Sequence, residues 1–204
     1  MSLAFDIGQG AGLAGATGVR PFLPPILTGA LASGDIGVDF DGTTFEWVES
    51  PAFLGVVLAL SVVSYFSERQ VASRPGDADG TGRPERSPIQ AATAVIAMAL
   101  GAVLFGASLA EGGETEWPGV IAGMLCAFLG FMAVAMLFAR ARARLEGGAA
   151  SLLGVYADVT SLVLAALSIL FPPLGYVVLV GFIVMLIRAQ RSGGQKYEGL
   201  RILR

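Results

Sequence analysis

The 204-residue chain has no histidine and a single cysteine, Cys126. Without histidine it lacks the commonest metal ligand and the side chain best suited to acid–base work near neutral pH. One cysteine excludes an intrachain disulfide, and its apolar surroundings in sequence read as those of a small packing residue rather than a reactive thiol. Charge is scarce: Asp, Glu, Lys and Arg make up only 14% of the chain, against about 25% in a soluble domain. There is no Gly-x-Ser-x-Gly, no phosphate loop and no His/Cys cluster. No catalytic set, metal set or cofactor motif is therefore read from it, and an enzyme is not expected. The few bases are better explained by membrane orientation than by nucleic-acid binding. The opening MSLAFDIGQG lacks a basic n-region, so no cleavable signal peptide is expected.

What the chain has is apolar length. Hydrophobic residues make up 54% and the mean hydropathy is +0.71. Runs at 8–33, 51–67, 88–110, 117–139, 149–171 and 173–190 approach the roughly 20 residues that cross a bilayer as helix. The predicted fold is all-α, a polytopic transmembrane bundle of six spans with the first broken by prolines. Ser87 with Pro88, and Ser50 with Pro51, pair an N-cap hydroxyl with a proline at the first helical position. Trp117 and Pro118 open the fourth span in the same way, and Pro172 and Pro173 make a tight hairpin between the last two. The chain divides into spans one and two (1–72), a polar linker (73–87), spans three to six (88–191) and a basic tail (192–204).

The charges set an orientation. Every base except Arg20 lies in 68–87, in 140–148 or from Arg188 onward, whereas 34–50 and 111–116 hold acids and no base. With six spans and both termini on one side, all those bases share a face, which the Lys/Arg bias makes cytoplasmic. The expected arrangement is a multi-pass membrane protein with both termini cytoplasmic. Trp47 and Trp117 fall at the outer boundary, where amphipathic rings are favoured.

The first run carries the strongest functional lead. Arg20, Pro21, Pro24 and Pro25 interrupt it. A charge at membrane depth costs roughly 2.5–3.5 kcal/mol on insertion scales, so it faces protein or water. Prolines deprive the carbonyls of residues 17, 20 and 21 of helical donors, and unwound backbone in a bilayer persists only in a protein-lined or wet site. Asp158 is the natural partner of Arg20, since both lie about ten residues into their spans. Thr17, Tyr156 and Thr160 are candidates to add hydroxyls there. The pair reads either as part of a solute or ion pathway or as a buried packing lock.

Other patterns are weaker. Gly10, Gly12 and Gly15 spell G-x-G-x-x-G, but no strand precedes them and no βα alternation follows, so a dinucleotide site is rejected. Gly12, Gly15 and Gly18 in the first span, and Gly119, Gly123 and Ala127 in the fourth, read instead as helix-packing stripes, within one chain or between copies. The first and fifth spans align over Gly12–Gly15 and 151–154, suggesting a parallel repeat. Residues 39–46 partly follow a calcium loop, but Gly37 and Val48 stand where acids are required, so an acidic surface turn is the better reading.

Residues 15–32, GATGVRPFLPPILTGALA, resemble the opening of the bacterial multi-pass membrane family catalogued as domain of unknown function 4126. The resemblance is specific over about 15–60 and rests on hydropathy beyond that. It implies an integral membrane protein of bacteria and no particular activity. The expectation is a small transporter or channel-like permease for a small polar or anionic solute. The alternative is a non-transporting scaffold or assembly partner in which Arg20 and Asp158 are structural. Expected partners are the lipid bilayer, a small solute and further copies of the chain docked through glycine-rich faces.

Overall fold

The computed structural model describes residues 2–72, 88–142 and 147–194. Among these are seven α-helices and no strand: α1 (Leu3–Val19), α2 (Leu23–Ala32), α3 (Pro51–Ala72), α4 (Pro88–Glu111), α5 (Glu116–Arg142), α6 (Gly147–Leu170) and α7 (Leu174–Gly194). A 3-10 turn, Glu46–Glu49, precedes α3. The helices from α3 onward begin within three residues of the expected spans, and the Ser-Pro start of α3 is present, with the Ser50 hydroxyl accepting the Phe53 N–H at 3.2 Å. The linker expected at 73–87 and most of the basic tail lie outside the described residues.

The first expected span is not one crossing. Arg20 is extended (φ −142°, ψ 114°), the conformation that a following proline imposes by clashing with the helical alternative. The chain reverses there. Near its start, α1 packs beside the α6–α7 turn: the Tyr176 hydroxyl donates to the Ala4 carbonyl at 2.7 Å, and Gly8 abuts the Pro172 backbone. Farther along, Gly15 faces Phe182 of α7 and Gly18 faces Ala127 and Phe131 of α5. From the break α2 climbs back, so that Ala32 joins Leu13 of α1 and Ile169 of α6 in one apolar cluster. Helices α1 and α2 thus form a hairpin that enters and leaves the bundle at the same end.

That end also holds 34–50, 111–116 and the α6–α7 turn, and is acidic. The other end collects the C-terminal ends of α3, α5 and α7, which carry Arg69, Arg140, Arg142, Arg188 and Arg191. The first turn of α1 and the last turn of α7 therefore lie at opposite ends of the bundle, while the charge pattern alone leads to both termini on one face. The parallel repeat fails for the same reason: α1 runs from the acidic end and α6 toward it.

Among the described residues three helices are long and apolar enough to cross a membrane, within α4, α5 and α6, rather than the six expected. The apolar parts of α3 (Pro51–Ser67) and α7 (Leu174–Ala189) are shorter, and α2 has ten residues. Buried α1 packs against α4, α5, α6 and α7. Its sequence explains this: glycine and alanine fill most positions from Gly8 to Gly18, which lets four helices approach one axis. The expected docking faces are consumed by this packing. Gly12 meets Ser168 and Gly175, while Gly119 and Gly123 meet α4 at Phe105, Gly106, Gly101 and Ala102. All five glycines pack within the chain rather than offering a surface for a second copy.

Residues 33–50 cap the acidic end. Val38, Phe40, Phe45 and Val48 insert over Leu13, Leu104 and Ala165. Carboxylates hold the backbone of this cap: Phe40 N–H donates to Glu49 at 2.6 Å and Asp39 N–H to Glu111 at 3.2 Å. By contrast, among the described residues α3 packs chiefly on α2 and the 3-10 turn, with Val56, Leu58, Val62, Val63 and Phe66 exposed.

Candidate functional site

The hairpin places its break at the middle of α6. Asp158 is about 17 Å from either end of that helix at about 1.5 Å per residue. Arg20 Nε stands 2.7 Å from Asp158 Oδ1, and Arg20 Nη2 donates to the Gly154 carbonyl at 3.3 Å. Positions 154 and 158 are four apart and share a helix face. Gly154 has a specific role here: a Cβ at this position would lie 3.2 Å from Arg20 Nη2, tight enough to move the guanidinium. At the end of α1, Arg20 also meets the negative pole of that helix, where a cation is stabilised.

The prolines divide the work. Pro21 forces the extended residue before it, while Pro24 and Pro25 are buried in the first turn of α2. There the missing N–H groups cost nothing, because first-turn donors have no intrahelical acceptor. The carbonyls of residues 17, 20 and 21 thus belong to helix ends rather than to a kink within one helix.

The break opens on a cavity of about 80 Å³ lined by Arg20, Pro21, Phe22, Leu23, Ser61, Ser64, Tyr65, Thr93 and Asp158. Four of its six polar side chains were missed in sequence. Ser61, Ser64 and Tyr65 sit on α3 at i, i+3 and i+4, and this one-face spacing of polar residues inside an apolar run was the available signal. Thr93 comes from the second turn of α4.

Three expected contributors do not join them. Tyr156 is 73% exposed and Thr160 is exposed, because residues two apart from Asp158 point to the opposite side of a helix. Thr17 is buried, with its hydroxyl donating to the Leu13 carbonyl at 2.8 Å, and does not line the cavity.

Two further polar groupings lie at the acidic end. Asp6 and Gln9 are buried on one face of α1, with Asp6 against Gly112, and neither Asp6 Oδ2 nor Gln9 Nε2 has a hydrogen-bond partner among the described residues. Asp35, Asp39 and Asp41 gather their carboxylates within 4.8 Å on the surface. Asp39 Oδ1 accepts the Asp41 N–H at 2.9 Å, an Asx turn that fits the acidic-turn reading of this segment.

No family model, no curated protein and no solved structure matches the chain.

Proposed function

We propose that the protein is an integral protein of the bacterial inner membrane, a small transporter or channel-like permease for a small polar or anionic solute. In this reading α3 to α7 cross the bilayer, and the α1–α2 hairpin enters from outside and returns there. The basic end is cytoplasmic, as Lys/Arg bias directs. The exposed apolar side chains of α3 are then lipid contacts, and Trp47 and Trp117 sit at the outer interface.

The observation that carries this reading is the cavity, with six polar side chains in its lining, at the break between α1 and α2 beside the middle of α6. Irregular backbone at membrane depth is tolerated where it lines a cavity, and paired broken helices mark solute sites in transporters. An arginine and an aspartate at that depth are expensive to keep. A second reading has its own support: the two charges are already in contact, and the cavity is small. In that reading the pair locks the hairpin to α6, and the protein is a scaffold or assembly partner whose basic end meets anionic lipid or protein.

Solute flux into proteoliposomes, screened over small anions and protons, separates the two. We expect flux with the wild type, none with folded Arg20→Gln, and unchanged flux with Tyr156→Phe and Thr160→Val, whose side chains face away from the cavity. Folded wild type that passes no solute would remove the transport reading and leave the scaffold.

A further inference from the structure

Arg20 is held to α6 at two points of different kind. The Gly154 carbonyl is part of the helix backbone and stays in place at any pH. The Asp158 carboxylate can take a proton and lose its charge. It is also the more open partner, its side chain 39% exposed against 20% for Arg20. Among the described residues, the titratable groups lining the cavity with Asp158 are Arg20 from the hairpin and Tyr65 from α3, and α4 contributes the Thr93 hydroxyl. Among those described lining residues Asp158 is the one carboxylate.

Two charge states follow. With Asp158 ionised, the pair is neutral and the guanidinium is engaged by a carboxylate. An entering anion would have to displace that carboxylate and leave it unpaired at depth, which is strongly unfavourable. With Asp158 protonated, the Arg20–Asp158 pair carries one net positive charge, and Arg20 remains anchored through Gly154. The hydroxyls of Ser61 and Ser64 in the lining can then donate to an anion. A cavity of about 80 Å³ is far below the roughly 300–1,000 Å³ of pockets for drug-sized ligands, so it suits an ion of a few heavy atoms.

We propose that this cavity binds a small monovalent anion, such as formate, nitrate or chloride, together with one proton on Asp158. The proton converts the carboxylate to a neutral acid, and the anion replaces it as the counter-ion of Arg20, so the loaded site is neutral overall. This inference rests on reading the cavity as a solute site.

Calorimetric titration of the detergent-solubilised full chain with sodium formate, nitrate and chloride, across a pH series, tests it without requiring flux. For the wild type we expect the affinity of at least one anion to rise as pH falls, approaching about tenfold per pH unit, the slope for one linked proton. Asp158→Asn should bind at every pH with the wild type's acid-side affinity and no slope. Arg20→Gln should not bind. Wild-type affinity that is independent of pH, or an Asp158→Asn variant that keeps the slope, would overturn the proton linkage. A folded wild type and a folded Asp158→Asn that bind none of the three anions would overturn the site. Binding with the expected slope but no proteoliposome flux would uphold this inference while removing the transport reading.

Discussion

Gly175→Ala is expected to unfold roughly 6–12 °C below the wild type. In the native bundle the Gly175 backbone lies directly on α1: a Cβ there would collide with the Gly8 carbonyl oxygen, 2.8 Å from the Gly8 carbon and 2.9 Å from the Gly12 nitrogen. These are backbone atoms of a helix wedged among four others, so no rotamer change relieves the clash. Overpacking a core typically costs about 1–3 kcal/mol, and a backbone collision belongs at the top of that range or above it. For a chain of this size, 3 kcal/mol corresponds to a fall in Tm of roughly 6–12 °C. Gly181→Ala and Gly55→Ala are the controls, since a Cβ at either meets nothing within 4 Å. They should hold or gain stability, because alanine exceeds glycine in helix propensity by up to about 1 kcal/mol. Thermal unfolding in detergent reads all three. A Gly175→Ala protein as stable as Gly181→Ala would contradict the contact between α1 and α7.

Arg20→Ala should destabilise the bundle by about 2–3 kcal/mol, less than the 3–5 kcal/mol of a fully buried pair because this one faces a cavity. The loss comes from leaving Asp158 charged without its partner at mid-helix. The double variant Arg20→Ala with Asp158→Ala should recover part of it, since no lone charge remains. The signature is therefore non-additivity: the double variant is more stable than the sum of the two single losses predicts. Strictly additive losses, measured by thermal unfolding of the four proteins, would mean that the two side chains do not interact.

The helices from α3 to α7 were legible because long apolar runs, bounded by Ser-Pro or Trp-Pro starts and by basic or acidic ends, leave few alternatives. The Arg20–Asp158 pair was legible because no other acid and base lie so far inside apolar runs. The direction of the hairpin was not. A run at 8–33 is long enough for one crossing, and hydropathy carries no sign that tells passage from return. Charge gave no warning either, because every base but Arg20 lies after the hairpin. Counting that run as a crossing or as a re-entrant turn leaves all the other bases on one face. The prolines marked the break, but reading it as a reversal rather than a kink required knowing that Ala32 returns to the cluster of Leu13.

Helix phase explains the smaller errors. Tyr156 and Thr160 were grouped with Asp158 by nearness in sequence, although two residues correspond to about 200° of rotation. Gly154, one turn away, was the residue that phase would have chosen. The hydroxyls of Ser61, Ser64 and Thr93 were passed over because such residues are common in apolar helices, and only the fold brings α3 and α4 to the same break. The glycine stripes abut partners within the chain, which the sequence leaves open between one chain and two copies.

The sidedness of α1 tests the central claim most directly. In a Cys126→Ser background, single cysteines at Leu3 in α1, Glu114 between α4 and α5, and Arg188 near the end of α7 would be probed in sealed vesicles with a membrane-impermeant thiol reagent. A re-entrant hairpin predicts that positions 3 and 114 are modified from the same side and position 188 from the other. Modification of position 3 from the side of position 188 would make the first apolar run a single crossing and contradict the account.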